Sequence, residues 1–245
     1  MELITQTDPK SPVSEAFRTI RTNISFSGSD NKLKVLALTS ATPDEGKSTL
    51  IANLAIVMAQ AGYKTLVMDC DFRNPTQHKI FQLKNKGLSN CISLGEDSLT
   101  IVQQAEGIEH LDILTSGPVA PNPSELLGSV KMSDELTKLR EHYDYILIDT
   151  PPVLPVTDAA ALASKLDGLL LIVRSGAETP SEVRSAKERI EQAGGRIIGC
   201  VLNKVPVSGH HYGYGYGSHY GSNYGYYYSD YHSEEGHEEK STKNK

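Results

Sequence analysis

A chain of 245 residues is long enough for one α/β domain of ordinary size plus an appendage, and its 38% hydrophobic content can fill a core. Lys and Arg number 24 against 30 Asp and Glu, a net charge of −6 that lacks the basic excess of a dedicated nucleic-acid binder. No apolar run reaches the ~18–20 residues of a membrane span. The opening Met1-Glu2-Leu3-Ile4-Thr5 has no basic-then-apolar pattern, so no cleaved secretory signal is expected and a cytoplasmic protein is the default. Cys70, Cys91 and Cys200 show neither pairing nor metal-ligand spacing.

In chain order, the first feature is Glu15, Arg18 and Arg21, spaced to fall along one side of a helix. Short runs rich in Val, Ile and Leu, each followed by turn residues, then predict strands at Val35–Ser40, Thr65–Asp69, Leu111–Thr115, Tyr145–Asp149, Gly168–Val173 and Ile197–Asn203. Helices are expected at Lys47–Ala61, Ser133–His142, Thr157–Ser164 and Ser181–Ala193, the last stopped by Gly194-Gly195. Strands apolar on both faces, alternating with helices, predict a mainly parallel sheet covered on both sides, with ligands beyond the carboxyl ends of the strands. The composition changes near Pro206. From Ser208 onward Gly, Tyr, Ser and His dominate, with nine of the 12 tyrosines and five of the eight histidines, and almost nothing aliphatic to bury. The expected organisation is a helical region over 1–30, a P-loop domain over 31–207 and a tyrosine-rich tail over 208–245.

The strand ends carry the chemistry. Ala41-Thr-Pro-Asp-Glu-Gly-Lys-Ser48 lies between the first strand and its helix and matches the phosphate-loop pattern, with Ala41 in place of the usual first glycine. The loop from Pro43 through Asp44, Glu45 and Gly46 to Thr49 can turn its backbone N–H groups, which every residue but Pro43 carries, into one concavity, to which the helix dipole adds positive potential. Gly46 lets the backbone approach a polyphosphate, Lys47 supplies a mobile charge, and Ser48 offers a hydroxyl to Mg²⁺. Asp69 and Asp71 end the second strand at i and i+2, on one side if the extended conformation continues. Asp149 ends another strand before a rigid Thr-Pro-Pro turn. Three strand-end carboxylates in a chain with a phosphate loop point to a metal and proton-transfer site.

The set Ala-x-Pro-x-x-Gly-Lys-Ser, Asp-x-Asp-x-Arg and Asp-x-Pro-Pro resembles the Walker A, A′ and B boxes of the bacterial tyrosine kinases, or BY-kinases. Glu15, Arg18 and Arg21 match that family's Glu-x-x-Arg-x-x-Arg motif, Pro121–Leu127 is similar to another family segment, and the tail supplies a tyrosine cluster. The resemblance implies a P-loop NTPase-type three-layer fold and transfer of phosphate from MgATP to tyrosine. Lys47 would stabilise phosphate charge, and Ser48, Asp71 and Asp149 would hold Mg²⁺. Asp69 is favoured as the base that takes the tyrosyl proton, with Asp71 as the alternative, and Asn203 would read adenine. Arg73 would either stabilise transferred charge or orient the Asp pair. The acceptors would be Tyr212, Tyr214, Tyr216, Tyr220, Tyr224, Tyr226, Tyr227, Tyr228 and Tyr231, modified in trans within a homo-oligomeric ring closed through Glu15, Arg18 and Arg21.

The likeness is to the stand-alone catalytic subunits of Gram-positive capsule and exopolysaccharide systems. It implies a separate transmembrane activator that recruits the protein to the inner face of the membrane, and a phosphotyrosine phosphatase opposing it, with no nucleic-acid partner. The competing readings are a non-catalytic ATP-binding assembly adaptor and a partition- or septum-type positioning ATPase. Those ATPases carry a lysine early in the phosphate loop, where this chain has Thr42.

Overall fold

Seven strands line up in the order β3-β4-β2-β5-β1-β6-β7: β1 Val35–Ser40, β2 Thr65–Asp69, β3 Gln103–Gln104, β4 Leu111–Leu114, β5 Tyr145–Asp149, β6 Gly168–Arg174 and β7 Ile197–Asn203. Every pairing is parallel except β3 against β4. The computed structural model describes residues 3–28 and 33–206, which belong to a unit that ends at Pro206. The nine tail tyrosines, Tyr212 to Tyr231, lie outside the described residues.

Alternation along each central strand builds two cores. Val35, Ala37, Leu66, Met68, Ile146 and Ile148 point to one face of the sheet, and Leu36, Leu38, Val67 and Leu147 to the other. The first face is covered by α5 (Leu88–Leu94), α7 (Pro123–Gly128), α8 (Val130–His142), α9 (Asp158–Ala163) and α10 (Pro180–Gln192). The second is covered by α3 (Lys47–Gln60), which is buried almost all round from Leu50 to Ala59. A helix apolar on every side needs cover on its outer face too. The N-terminal helices α1 (Ile4–Thr7) and α2 (Pro12–Phe26) provide it, so residues 3–28 pack into the body of the domain. The one polar residue in the middle of α3, Asn53, is satisfied there, its Oδ1 accepting from the Thr5 amide at 3.1 Å and the Thr5 hydroxyl at 2.9 Å.

The predicted strands match the sheet to within one residue at each end, apart from the short β3, which has no pattern of its own. Caps account for the shifts at helix ends. Ser129 accepts from the Met132 amide, so α8 starts three residues earlier than expected. Thr179 and Glu182 form a capping box at the start of α10, and Gly194, at φ 77°, ends it. The two remaining helices, α4 (Gln77–Ile80) and α6 (Ser98–Ile101), are single turns.

Chain order places the site. From β1 the chain leaves through α3 toward β2, on one face; from β5, beside β1, it leaves through α9 toward β6, on the other. The carboxyl ends of β1 and β5 therefore open into a crevice between diverging connections, the usual ligand position in such sheets.

Candidate active site

A cleft of about 690 Å³ occupies that crevice, and Pro43, Asp44, Gly46, Lys47, Ser48 and Thr49 form one wall of it. Gly46 sits at φ 87°, and a Cβ there would stand 2.5 Å from Asn203 Nδ2, so the position requires glycine both for conformation and for space. Two residues at the end of β7 shape the loop from outside. Asn203 Nδ2 donates to the Glu45 carbonyl at 2.7 Å, and Lys204 Nζ to the Asp44 carbonyl at 2.8 Å. In a trans peptide the N–H points opposite to the C=O, so drawing these carbonyls outward turns the Glu45 and Gly46 amides the other way, as an anion cradle needs. Glu45 braces the loop from within, Oε1 accepting from the Thr42 amide at 2.9 Å and the Thr42 hydroxyl at 2.7 Å. Glu45 is thus buried in the loop's support and does not line the cleft.

Lys47, 8% exposed, donates from Nζ to Ser40 Oγ at 2.9 Å, across the loop's mouth. Burial draws its pKa down, and the charges of Asp149, Glu45, Asp71 and Asp44 push it back. Asp69 and Asp149 are register partners on adjacent parallel strands, and alternation turns both toward α3. Both are fully buried. Burial first raises the proton affinity of each carboxyl, and at Asp69 the Asp149 charge adds to it. At Asp149, donation from Gln77, the nearby Ser48 side chain and the Lys47 charge work against the rise.

The two A′ carboxylates divide sharply in access. Asp69 Oδ1 accepts from the Asp71 amide at 3.1 Å, and Oδ2 from the Thr76 and Gln77 amides, both at 3.0 Å; the side chain is the hub of the loop that follows β2. Asp71 is partly exposed and lines the cleft, with Oδ1 held by the Arg73 and Asn74 amides. Arg73 also lines the cleft, but its guanidinium forms a two-pronged pair with buried Asp158 at 2.8 and 3.0 Å, not with Asp69 or Asp71. The expected orientation of the Asp pair by Arg73 is therefore corrected: it anchors the A′ loop to the start of α9. Asn203, expected at the base of the nucleotide, has its amide committed to the phosphate loop.

These oxygens fit a hard cation. Ser48 and Asp71 lie on the cleft wall, and Asp149 Oδ1 is buried without a hydrogen-bond partner. Mg²⁺ takes oxygen ligands and keeps several of its waters, so a site with few protein ligands can hold it.

Residues 33–177 match the AAA domain family. Among relatives, CapB of Staphylococcus aureus is 46% identical over 210 residues, covering 84% of this chain and 92% of that protein. Tyrosine-protein kinase YwqD of Bacillus subtilis is 43% identical over 213 residues, covering 86% and 90%. The chain belongs to the bacterial tyrosine kinases. Solved BY-kinase structures agree. The chimerical protein CapA2B2 superposes with a TM-score of 0.79 at 45% identity, covering 83% of this chain and 90% of that one. The kinase domain of Escherichia coli tyrosine kinase ETK gives 0.81 at 36%, covering 88% and 85%. The septum-site protein MinD from Pyrococcus horikoshii, solved with Mg-ADP, reaches 0.61 at 21% identity, over 71% of this chain and 72% of that one, and shares the fold alone. This BY-kinase is thus a protein-tyrosine kinase with a P-loop nucleotide site.

Glu15, Arg18 and Arg21 lie on α2, over the outer face of α3. Glu15 and Arg18 pair with each other, and Arg18 also donates to the Pro9 carbonyl at 2.6 Å. Arg21 turns inward and donates to the Val57 carbonyl in α3 at 2.9 Å. The sequence reading missed Gln77 and Lys204. Gln77 carried no motif signal, and Lys204 stands beside Asn203 in what reads as an ordinary strand end.

Proposed function

We propose that the cleft binds MgATP and transfers its terminal phosphoryl group to tyrosines of the C-terminal segment, Tyr212 to Tyr231, of a neighbouring copy. The carrying observation is the convergence of Lys47, Ser48 and Asp71 on one cleft, with the buried carboxyl of Asp149 beside Lys47 and Ser48. The loop amides and Lys47 hold phosphate charge, and Ser48, Asp71 and Asp149 hold the cation. Bound Mg²⁺ neutralises charge on the phosphates in this chemistry. The tyrosyl oxygen bonds to the terminal phosphorus as the bridging P–O bond to ADP breaks. The tyrosyl proton, with an ordinary pKa of about 10, needs an acceptor. Access supports Asp71 in that role over Asp69, whose buried oxygens serve the loop backbone. Asn203 acts on the nucleotide through the loop it clasps.

The tail as substrate follows from its composition: glycines between tyrosines let many hydroxyls reach one site in turn. Each phosphotyrosine adds about −1.5 to −2 charge, and several on one tail favour release from a ring assembled through the α2 face. Among the described residues no helix is long and apolar enough to cross a membrane. A membrane-bound activator at the inner leaflet, a cognate phosphatase and control of polysaccharide export complete the reading, carried by the likeness to capsule-system kinases.

The test incubates purified chain with MgATP, with and without the activator's cytoplasmic segment, and maps phosphotyrosine by mass spectrometry. Modification confined to Tyr212–Tyr231 and abolished by Lys47→Met is expected. Phosphotyrosine at wild-type level in Lys47→Met removes the mechanism.

A further inference from the structure

One residue outside every recognised motif touches all three boxes of the site. Gln77, the first residue of the single-turn α4, is fully buried. Its side-chain Nε2 donates to the Ser48 carbonyl at 3.1 Å and to Asp149 Oδ2 at 2.7 Å, while its backbone amide donates to Asp69 Oδ2 at 3.0 Å. The phosphate-loop helix, the A′ carboxylate and the strand-end Asp149 are therefore tied to a single amino acid.

The chemistry of those bonds is selective. A carboxylate has two equivalent oxygens, and an unrestrained one can rotate and exchange them. At Asp149 the Gln77 amide occupies Oδ2, and Oδ1 is the buried oxygen left without a partner. Only an amide serves here: it is long enough to reach two acceptors, donates twice, and adds no charge to a cluster that already holds Asp69, Asp71 and Asp149.

We propose that Gln77 is a positioning residue that fixes the orientation of the Asp149 carboxyl, holding Oδ2 and leaving Oδ1 for the nucleotide's divalent cation. The inference rests on the reading of the cleft as a Mg-nucleotide site, and its test separates the two. Binding of ADP is measured by calorimetry in Mg²⁺ and in EDTA for wild type, Gln77→Met and Gln77→Glu, with thermal melting as the check on folding.

Wild type is expected to bind ADP more tightly in Mg²⁺ than in EDTA. Gln77→Met, similar in length but without a donor, should keep its EDTA affinity within about twofold and lose about tenfold of the Mg²⁺-dependent gain, the scale of one hydrogen bond to a charged group. Gln77→Glu, which sets a like charge against Asp149, should lose more. An unchanged Mg²⁺ gain in Gln77→Met overturns the proposal, as does an equal loss in Mg²⁺ and EDTA, which marks a merely structural residue. A wild-type protein whose ADP affinity ignores Mg²⁺ overturns the cation reading of the cleft itself.

Discussion

Glu45 and Glu178 set their carboxyl groups against each other behind the phosphate loop. Glu178 Oε2 accepts from the Arg174 amide at 2.6 Å, and Glu45 Oε1 is taken by Thr42. That leaves Glu45 Oε2 and Glu178 Oε1, both buried and without a donor. Two carboxylates cannot bond, but a carboxyl and a carboxylate sharing one proton can. Burial, then the contact with Glu45, pushes Glu178 up to about 7. Glu182 adds further negative charge nearby, Lys47 is the cation facing Glu45, and both glutamates help raise the pKa of the Cys200 thiol.

The sign of the pH dependence follows. The folded chain holds this proton more tightly than an unfolded chain, where Glu178 titrates near the ordinary glutamate value of 4.5. The pair's contribution is therefore fully present below that value and is lost as pH rises through about 7. Glu178→Gln replaces the shared proton with a permanent N–H donor. Melting temperatures from acid to mildly alkaline buffer should fall less steeply in the variant, and identical slopes would sink the shared-proton reading. Asp69 and Asp149, both raised by burial, contribute with the same sign in both proteins, so the difference isolates the pair.

Asp71→Asn should lower phosphotransfer at least 100-fold while leaving the fold intact, because its side chain lines the cleft and its amide replacement still accepts from Arg73 and Asn74. Asp69→Asn should lower both activity and stability, since the buried hub that takes three backbone amides is altered. Single-turnover rates and thermal melts distinguish them. The assignment of the proton to Asp71 fails if its variant keeps the wild-type rate and only Asp69→Asn is slow.

Gly46→Ala places a methyl 2.5 Å from Asn203 Nδ2 and forces a left-handed backbone on alanine, a strain of about 1–2 kcal/mol. ADP affinity should drop at least tenfold as the clasp on the Glu45 carbonyl opens. Asn203→Ala, which removes the clasp without the strain, should show a smaller loss, measured by the same calorimetry.

Substitutions at Arg18 and Arg21 test the proposed assembly apart from folding. Arg18 pairs with Glu15 and donates to the Pro9 carbonyl in solvent-exposed contacts worth under about 1 kcal/mol, so Arg18→Ala should melt close to wild type. Arg21→Ala removes the donor to the Val57 carbonyl and should cost about 1 kcal/mol. Mass photometry of Arg18→Ala is therefore the clean test of the α2 ring contact: smaller assemblies are expected, and an unaltered assembly counts against it.

The sheet was legible because each central strand is a short aliphatic run with turn residues at its end. The phosphate loop and the three aspartates were legible because their spacing repeats a pattern. What escaped depends on contacts distant in sequence. Gln77 reads as an unremarkable polar residue until the fold brings Ser48 and Asp149 to its amide. Arg73 follows the A′ aspartates so closely that a local pairing looks natural, yet its partner is Asp158, 85 positions away. Access, likewise, is not written in the spacing of Asp69 and Asp71. The first is sealed by backbone folding over it, the second left at the wall.

The apolar helix behind the phosphate loop has a practical corollary. Residues 3–28 roof it, so a shortened protein beginning at Val35 would retain every group of the catalytic cleft yet present a greasy cylinder to water. Such a truncation should come out of solution as aggregate, and its inactivity would report a missing lid, with no bearing on which side chains perform the chemistry.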